Sequence, residues 1–244
     1  MRLSPTAAQA ELRWSRVYDR VTDAFGLVLL LLILTYIAGS LLSFHGVGGV
    51  VIVMLGALSA TIALATARAR TQIVAWAGRL SVVMLILTII GAAAGSRTVF
   101  GVAAIMQMLL LGAAGAAVLR AVVTEEQVGF RTILGAVSVY IILGLLFTFV
   151  YVAVDKLQGT PLFGSTPVHR GDYLFFSLTT LTTTGYGNLV PAGQPGKMLA
   201  AMEMLMGQIF LVTLIARLVS MWRPGRWLRG GAGIAAADDE GEPN

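Results

Sequence analysis

The chain has 244 residues, 57% of them hydrophobic and only 12% charged, with a mean hydropathy of +0.84. A soluble domain carries about a quarter charged residues, so this balance argues against a water-soluble enzyme or binding module. The formal charge of +5 is not a nucleic-acid footprint, because the basic residues sit in short loops beside apolar segments. The absence of cysteine rules out disulfides and thiolate chemistry, and His45 and His169 fall in separate loops away from any metal-ligand cluster.

Residues 1–23 form a polar N-terminal segment. Within 6–23, Leu12, Trp14, Val17, Tyr18 and Val21 share the chain with Arg13, Arg16 and Arg20. Two readings fit: a cytoplasmic amphipathic helix lying in the membrane interface, or a plain polar lead-in to the first span. Glu11, Asp19 and Asp23, with the long apolar run that follows, argue against a cleaved signal. A bilayer crossing needs about 20 mostly apolar residues. On that measure the sequence predicts six spans, at 24–43, 48–67, 78–95, 99–119, 132–154 and 198–219. The expected fold class is an all-α integral membrane protein. The 68–79 connection is short, and Trp76 reads as loop or helix. Runs such as Ala92-Ala93-Ala94-Gly95 and Gly112-Ala113-Ala114-Gly115-Ala116-Ala117 permit close helix contact in lipid.

Charge sets the expected orientation. With both termini cytoplasmic, 13 of the 17 basic residues fall inside, and only Arg97, Lys156, Arg170 and Lys197 fall outside. The positive-inside rule then favours an even number of spans. It puts Tyr186 near the outer face. Composition rich in alanine, arginine and glycine suits a bacterial inner membrane, with the chain multi-pass in the plasma membrane.

Between the last two spans lie about forty residues with a shorter helix at Asp172–Thr182. Asp172 is expected to cap it or to favour its N-terminus electrostatically, and Tyr173, Phe175 and Phe176 give it an aromatic surface. Thr182-Thr183-Thr184-Gly185-Tyr186-Gly187-Asn188 follows. Gly185 and Gly187 alternate with larger residues, so the backbone there reaches angles closed to ordinary L-residues. Such a re-entrant stretch is acceptable at membrane depth only where protein or water covers it.

The TTTGYGN run resembles the selectivity filter of potassium channels, and residues 132–219 resemble their outer-helix, pore-helix, filter and inner-helix module. The resemblance implies a pore domain over 131–220, preceded by a four-span domain at 24–121 and followed by a short tail at 221–244. It implies four copies around one axis, a homotetramer, each donating the carbonyls of Thr183, Thr184, Gly185 and Tyr186 to dehydrated K+ ions, with Gly187 completing the filter. The Thr183 hydroxyl would sit at the inner mouth and the Tyr186 ring would pack away from the ions. The implied activity is passive K+ conduction with no organic cofactor, membrane lipids as surroundings and no nucleic-acid partner; no catalytic residues are expected.

Asn188-Leu189-Val190-Pro191 resembles the return to the surface, and Gly196-Lys197 opens the inner helix. Gly207 falls where the family often has a glycine hinge, and close packing accounts for it equally well. One face from there presents Gln208, Leu211 and Ile215 toward the cavity, with subunit packing as the other reading of the last two. The sequence departs from the family at Asn188, usually aspartate, and at Thr184, usually valine. Thr179 and Thr180 stand where some relatives place a carboxylate. With Thr182 and Glu203 these residues are the expected filter support. Glu203 is the one acidic residue inside a predicted span and therefore a functional candidate, expected behind the pore helix on a threonine hydroxyl or the backbone.

Six spans resemble the voltage-gated layout, but 99–119 has no arginine, so weak voltage dependence is expected. In the tail, Arg223, Arg226 and Arg229 beside Trp222 and Trp227 read as an orienting flank or a contact for anionic headgroups. Alternatives to a selective channel are a poorly selective monovalent-cation channel and a non-conducting scaffold or regulatory subunit with a channel-like fold.

Overall fold

The computed structural model describes residues 25–42, 46–125, 130–169 and 171–221. The N-terminal segment 1–23 and the basic-aromatic tail from 222 onward lie outside the described residues. All regular structure in the described residues is helical: α1 Phe25–Leu41, α2 Gly46–Thr66, α3 Thr71–Ala94, α4 Arg97–Thr124, α5 Phe130–Leu157, α6 Asp172–Leu181 and α7 Gln194–Met221.

Among the described residues, α2, α3, α4, α5 and α7 are long and apolar enough to cross a membrane, while α1 is apolar but has 17 residues. Of the expected span at 24–43, the described helix covers Phe25–Leu41 and Leu42 is already a bend, while residues 24 and 43 lie outside the described residues. The third helix starts at Thr71 rather than 78 and takes in Trp76. The Arg79 guanidinium lies over the Trp76 ring, 5.1 Å from its centroid. That stacking lets a charged side chain stay on an otherwise apolar helix. The fourth, fifth and last helices likewise run two to five residues beyond their expected ends.

Helices α1–α4 form a block that packs on α5 of the same chain, chiefly through α4 and also through α1. Small residues make the approach possible. A Cβ on Gly115 would stand 3.0 Å from Ile142 Cγ2, and Leu111, Ala114 and Val118 are fully buried along the same seam. This is the close packing that lipid-embedded helices use in place of a hydrophobic driving force. Polar side chains inside the block return their hydroxyls to the preceding turn, as Thr35 does to Leu31 O (2.8 Å), Ser59 to Leu55 O (2.7 Å) and Thr88 to Met84 O (2.8 Å). Thr35 and Ser59 also meet across α1 and α2 at 3.2 Å.

Gln107 is the exception. It is fully buried on α4, and among the described residues neither its Nε2 nor its Oε1 has a hydrogen-bond partner. A buried amide without partners costs about 1–3 kcal/mol. Gln107→Leu is therefore expected to stabilise the protein by about that amount, read as a higher thermal unfolding midpoint in detergent; a lower midpoint would mean that the amide is serving a partner.

Candidate functional site

The candidate site is the re-entrant segment between α5 and α7. Its N-terminal end is anchored by Asp155, a buried acid in the last turn of α5. The carboxylate accepts from Leu162 N (3.0 Å) and pairs with Lys156 Nζ (3.1 Å), and it also bonds Tyr173 at the start of α6. Arg97 Nη2 donates to the Asp155 carbonyl at 3.0 Å, which ties α4 to the same point. The chain then enters α6 at Gly171, whose φ is 77° and whose missing Cβ would stand 3.2 Å from Ser40 Cα and Ser40 O. Only glycine meets both demands.

Asp172 does not cap α6. The cap position is Gly171 and makes no side-chain bond, while the Asp172 carboxylate turns back to accept from His169 N at 2.6 Å. Its place in the first turn still sets a negative charge at the positive end of the helix. With ten residues, α6 is about 15 Å long, roughly half a bilayer core. Phe176 is buried between Tyr151 (ring centroids 4.8 Å) and Phe163 (5.0 Å). Phe175 faces the other way, half-exposed, and stacks on Tyr186 at 5.7 Å and 15°.

The backbone leaves the helix after Thr182. The N–H groups of Thr183, Thr184 and Gly185 bond back to Thr180 O (2.9 Å), Thr179 O (2.8 Å) and Thr179 O (3.1 Å). Thr183, Gly185 and Gly187 have φ of 58°, 51° and 80°, whereas Thr184 and Tyr186 do not enter the left-handed region. Alternation of the two hands at successive residues turns successive carbonyls toward the same side. The side chains from Thr182 to Asn188 are exposed in the single chain.

Hydroxyls brace the same stretch. Thr182 Oγ1 donates to Leu178 O (2.7 Å) and lies 2.9 Å from Thr184 Oγ1, and Thr183 Oγ1 donates to Thr182 O (2.7 Å). Gln208 Nε2 donates to Thr183 Oγ1 at 3.1 Å, which joins the inner helix to the start of the loop. A Cβ on Gly207 would meet the Leu181 carbonyl and stand 3.0 Å from Leu181 Cδ1, so the helix crosses there only as glycine. From α5, Tyr140 donates to Leu181 O (3.4 Å) and stacks on Phe210 (5.8 Å). Thr180 is buried and Thr179 half-buried, Leu211 is half-buried, Ile215 is exposed, and Asn188 is exposed.

Glu203 is fully buried where α5, α6 and α7 meet. Tyr151 OH donates to Oε2 at 2.6 Å, and Ser177 Oγ donates to Oε1 at 2.6 Å while standing 2.7 Å from Gly144 O. Its partners are thus a tyrosine and a serine, not the threonine or backbone group expected. Sequence reasoning reached Glu203, Gln208 and Thr183 but missed Tyr151, Ser177 and Asp155. Tyr151 reads as one more aromatic in an apolar span, and Ser177 as a filler in an amphipathic turn. Asp155 carried one signal that could have been used, an acid at the end of a span followed at once by Lys156.

Residues 137–223 match a family described as ion channel. "Two pore potassium channel b" of Oryza sativa subsp. japonica is 32% identical over 88 residues, which are 36% of this chain and 23% of that protein. The two matches support a potassium-channel family for this segment. The matched segment covers α5 from residue 137, α6, the TTTGYGN loop and α7, so the loop, Glu203 and Asp155 lie inside it. The chain spans about a quarter of the length of the curated relative it matches. No solved structure matches it significantly. The family is one of ion channels rather than enzymes.

Removing the Glu203 carboxylate would leave the buried Tyr151 hydroxyl unpartnered, at a cost of about 1–3 kcal/mol, while Ser177 keeps Gly144 O as an acceptor. Glu203→Ala is expected to lower stability by about that amount, and Glu203→Gln, which keeps an oxygen and the side-chain length, by less than half of it. Thermal unfolding of both variants in the same detergent checks the ordering.

Proposed function

We propose that four copies of this chain assemble into a potassium-selective channel that conducts K+ passively across the plasma membrane. The observation that carries this reading is the alternation of positive φ at Thr183, Gly185 and Gly187 at the C-terminal end of α6. One chain supplies one strip of carbonyls, from Thr183, Thr184, Gly185 and Tyr186. A cage around a dehydrated cation needs several such strips converging on an axis. The exposure of the whole 182–188 stretch in the single chain supports this, since non-helical backbone at membrane depth must be covered by protein or water.

The chain's own residues divide the work. Gln208 holds the Thr183 hydroxyl at the inner mouth, and the negative end of the α6 dipole faces the cavity below, favouring a cation there. Glu203, with Ser177 and Tyr151, fixes α6 between the two spanning helices, so the carbonyls are held in place before an ion arrives. Thr179, Thr180 and Thr182 hold the turn from which the loop departs. Gly207 serves close packing of α7 on α6, while Leu211 and Ile215 continue its face toward the cavity. Both termini are read as cytoplasmic, and the α1–α4 block as a collar without a charge ladder: α4 carries arginine only at Arg97 and Arg120, near its two ends.

A second reading, a poorly selective monovalent-cation channel, draws on Asn188. It makes no hydrogen bond among the described residues, so the loop has no restraint at its outer end from the place where the family usually has aspartate.

Purified protein in a planar bilayer, with equal K+ on one side and Na+ on the other, is expected to reverse close to the K+ equilibrium potential. Reversal near zero would favour the poorly selective pore. Gly185→Ala is expected to abolish the current while leaving a tetramer by native mass spectrometry, because the left-handed backbone there tolerates a Cβ poorly. Retained wild-type current in that variant would refute the carbonyl-cage reading. Conductance is expected to vary weakly with voltage over the range in which arginine-bearing sensors switch.

A further inference from the structure

We propose that the cleft between the α2–α3 turn and the end of α4 is a binding site for the phosphate group of an anionic phospholipid. The site lies outside the matched segment, and the inference holds whether or not the loop conducts. Its cavity measures about 590 Å3 and is lined by Arg68, Arg70 and Arg120 together with Ile73, Ala116 and Ala117. That volume lies within the range of about 300–1,000 Å3 typical of small-molecule sites. The three arginines line one cleft, all exposed, and among the described residues none of the three has an ion-pair partner, so the cleft presents unpaired guanidinium donors to an anion.

Three features favour a phosphate over other anions and a lipid over a free ion. First, guanidinium groups offer paired N–H donors that match phosphate oxygens. The cleft also opens at the first turn of α3, whose cap residue Arg70 makes no side-chain bond. Second, the opposite wall is apolar and faces outward. Ile73 is half-exposed, Trp76 is two-thirds exposed a turn further along α3, and Ala116 is exposed on α4. A free phosphate has no use for such a wall, whereas acyl chains lying along α3 and α4 do. Trp76 beneath Arg79 is the kind of side chain found at headgroup level. Third, the arginines lie at the end of the block where the sequence concentrates its basic residues, the side that faces an anionic leaflet.

Arg68 adds an independent point. It terminates α2 with φ of 54°, with Arg68 N bonded to Ala65 O (3.1 Å) and Ala69 N to Leu64 O (3.1 Å). Glycine is the usual residue in that role, since a Cβ is strained there. The strained position nonetheless carries an arginine, which adds a third guanidinium to the cleft. It also borders a second cavity of about 270 Å3 that includes Glu125. The Glu125 carbonyl accepts from Arg217 Nη2 of α7 at 2.7 Å, so the lipid cleft adjoins the contact between the collar and the inner helix.

The test is thermal unfolding of the full chain in a neutral detergent, titrated with dioctanoyl phosphatidylglycerol, dioctanoyl phosphatidylcholine or inorganic phosphate. Phosphatidylglycerol is expected to raise the midpoint saturably and phosphatidylcholine to leave it unchanged, with inorganic phosphate acting only at far higher concentration. R70Q/R120Q is expected to weaken the apparent affinity for phosphatidylglycerol at least about ten-fold. R68G separates folding from binding: its lipid-free midpoint should equal or exceed that of the wild type, because the strain is relieved, while its affinity for phosphatidylglycerol falls. Equal effects of the two lipids, or unchanged affinity in both variants, would overturn the proposal. Inorganic phosphate as potent as the lipid would overturn the lipid assignment in favour of a small-anion site.

Discussion

Backbone that leaves a helix at membrane depth must find its hydrogen-bond partners inside the protein, and the architecture of residues 130–221 follows from how that requirement is met at 182–188. The N–H groups of Thr183, Thr184 and Gly185 fold back onto the last carbonyls of α6. The same bonds use up carbonyls that a helix terminus otherwise leaves open. The loop's own carbonyls, from Thr183 to Gly187, accept no hydrogen bond among the described residues. The first three donors of the loop are thus satisfied locally, while its acceptors are left open. That asymmetry is what the proposed carbonyl cage requires.

A carbonyl strip is useful only if it does not relax, and the helices around it are pinned by polar groups that would be costly alone. A buried carboxyl group in an apolar setting is unfavourable by several kcal/mol unless its oxygens are matched. Glu203 is matched on both oxygens at 2.6 Å, by side chains from two other helices. The cost of placing it there becomes a penalty on any rearrangement that separates α5, α6 and α7. Asp155 does the same at the N-terminal end of the re-entrant segment, where it joins the end of α5, the 158–171 connection and the first turn of α6. Between these two anchors Gly207 removes the side chain that would hold α7 away from α6. The three helices are therefore fixed by two polar nodes and one close contact, with aromatic packing around Phe176 filling the space between.

The all-helical membrane fold was legible because apolar length near a bilayer width is a direct physical signal. Helix ends were less so. The third helix was expected to begin at 78, with 68–79 read as a short connection and Trp76 as loop or helix; it begins at Thr71, and the Arg79–Trp76 stack on it is a pair contact that composition does not register. The first helix was expected to reach 43 and ends at Leu41. Gly185 and Gly187 announced a special backbone by residue type, but Thr183, which adopts the same hand, carried no such mark. The Glu203 partners lie 26 and 52 residues away. The sequence therefore marked the buried acid, while the identity of its partners depended on how three helices meet.

The glycines of this segment are required for opposite reasons, and the contrast bears on how the loop works. At Gly207 the backbone is ordinary helix and the space is missing, so the constraint is a neighbour. At Gly185 and Gly187 a Cβ would meet nothing within 4 Å, so the constraint is the positive φ itself. Thr183 accepts that conformation without the exemption glycine has, at a cost of about 1–2 kcal/mol. Its hydroxyl donates to Thr182 O and accepts from Gln208 Nε2, two bonds of about 0.5–1.5 kcal/mol each. The strain and the bonds are of similar size. The first residue of the alternating stretch is thus held in register by the inner helix, and movement of α7 that breaks the Gln208 bond leaves Thr183 with strain and one fewer contact to offset it. The Gln208 amide is thus the side chain of α7 that bears on the alternating stretch itself, at the one position in the alternation where glycine does not absorb the strain, beside the contacts that Gly207 and Glu203 make with α6.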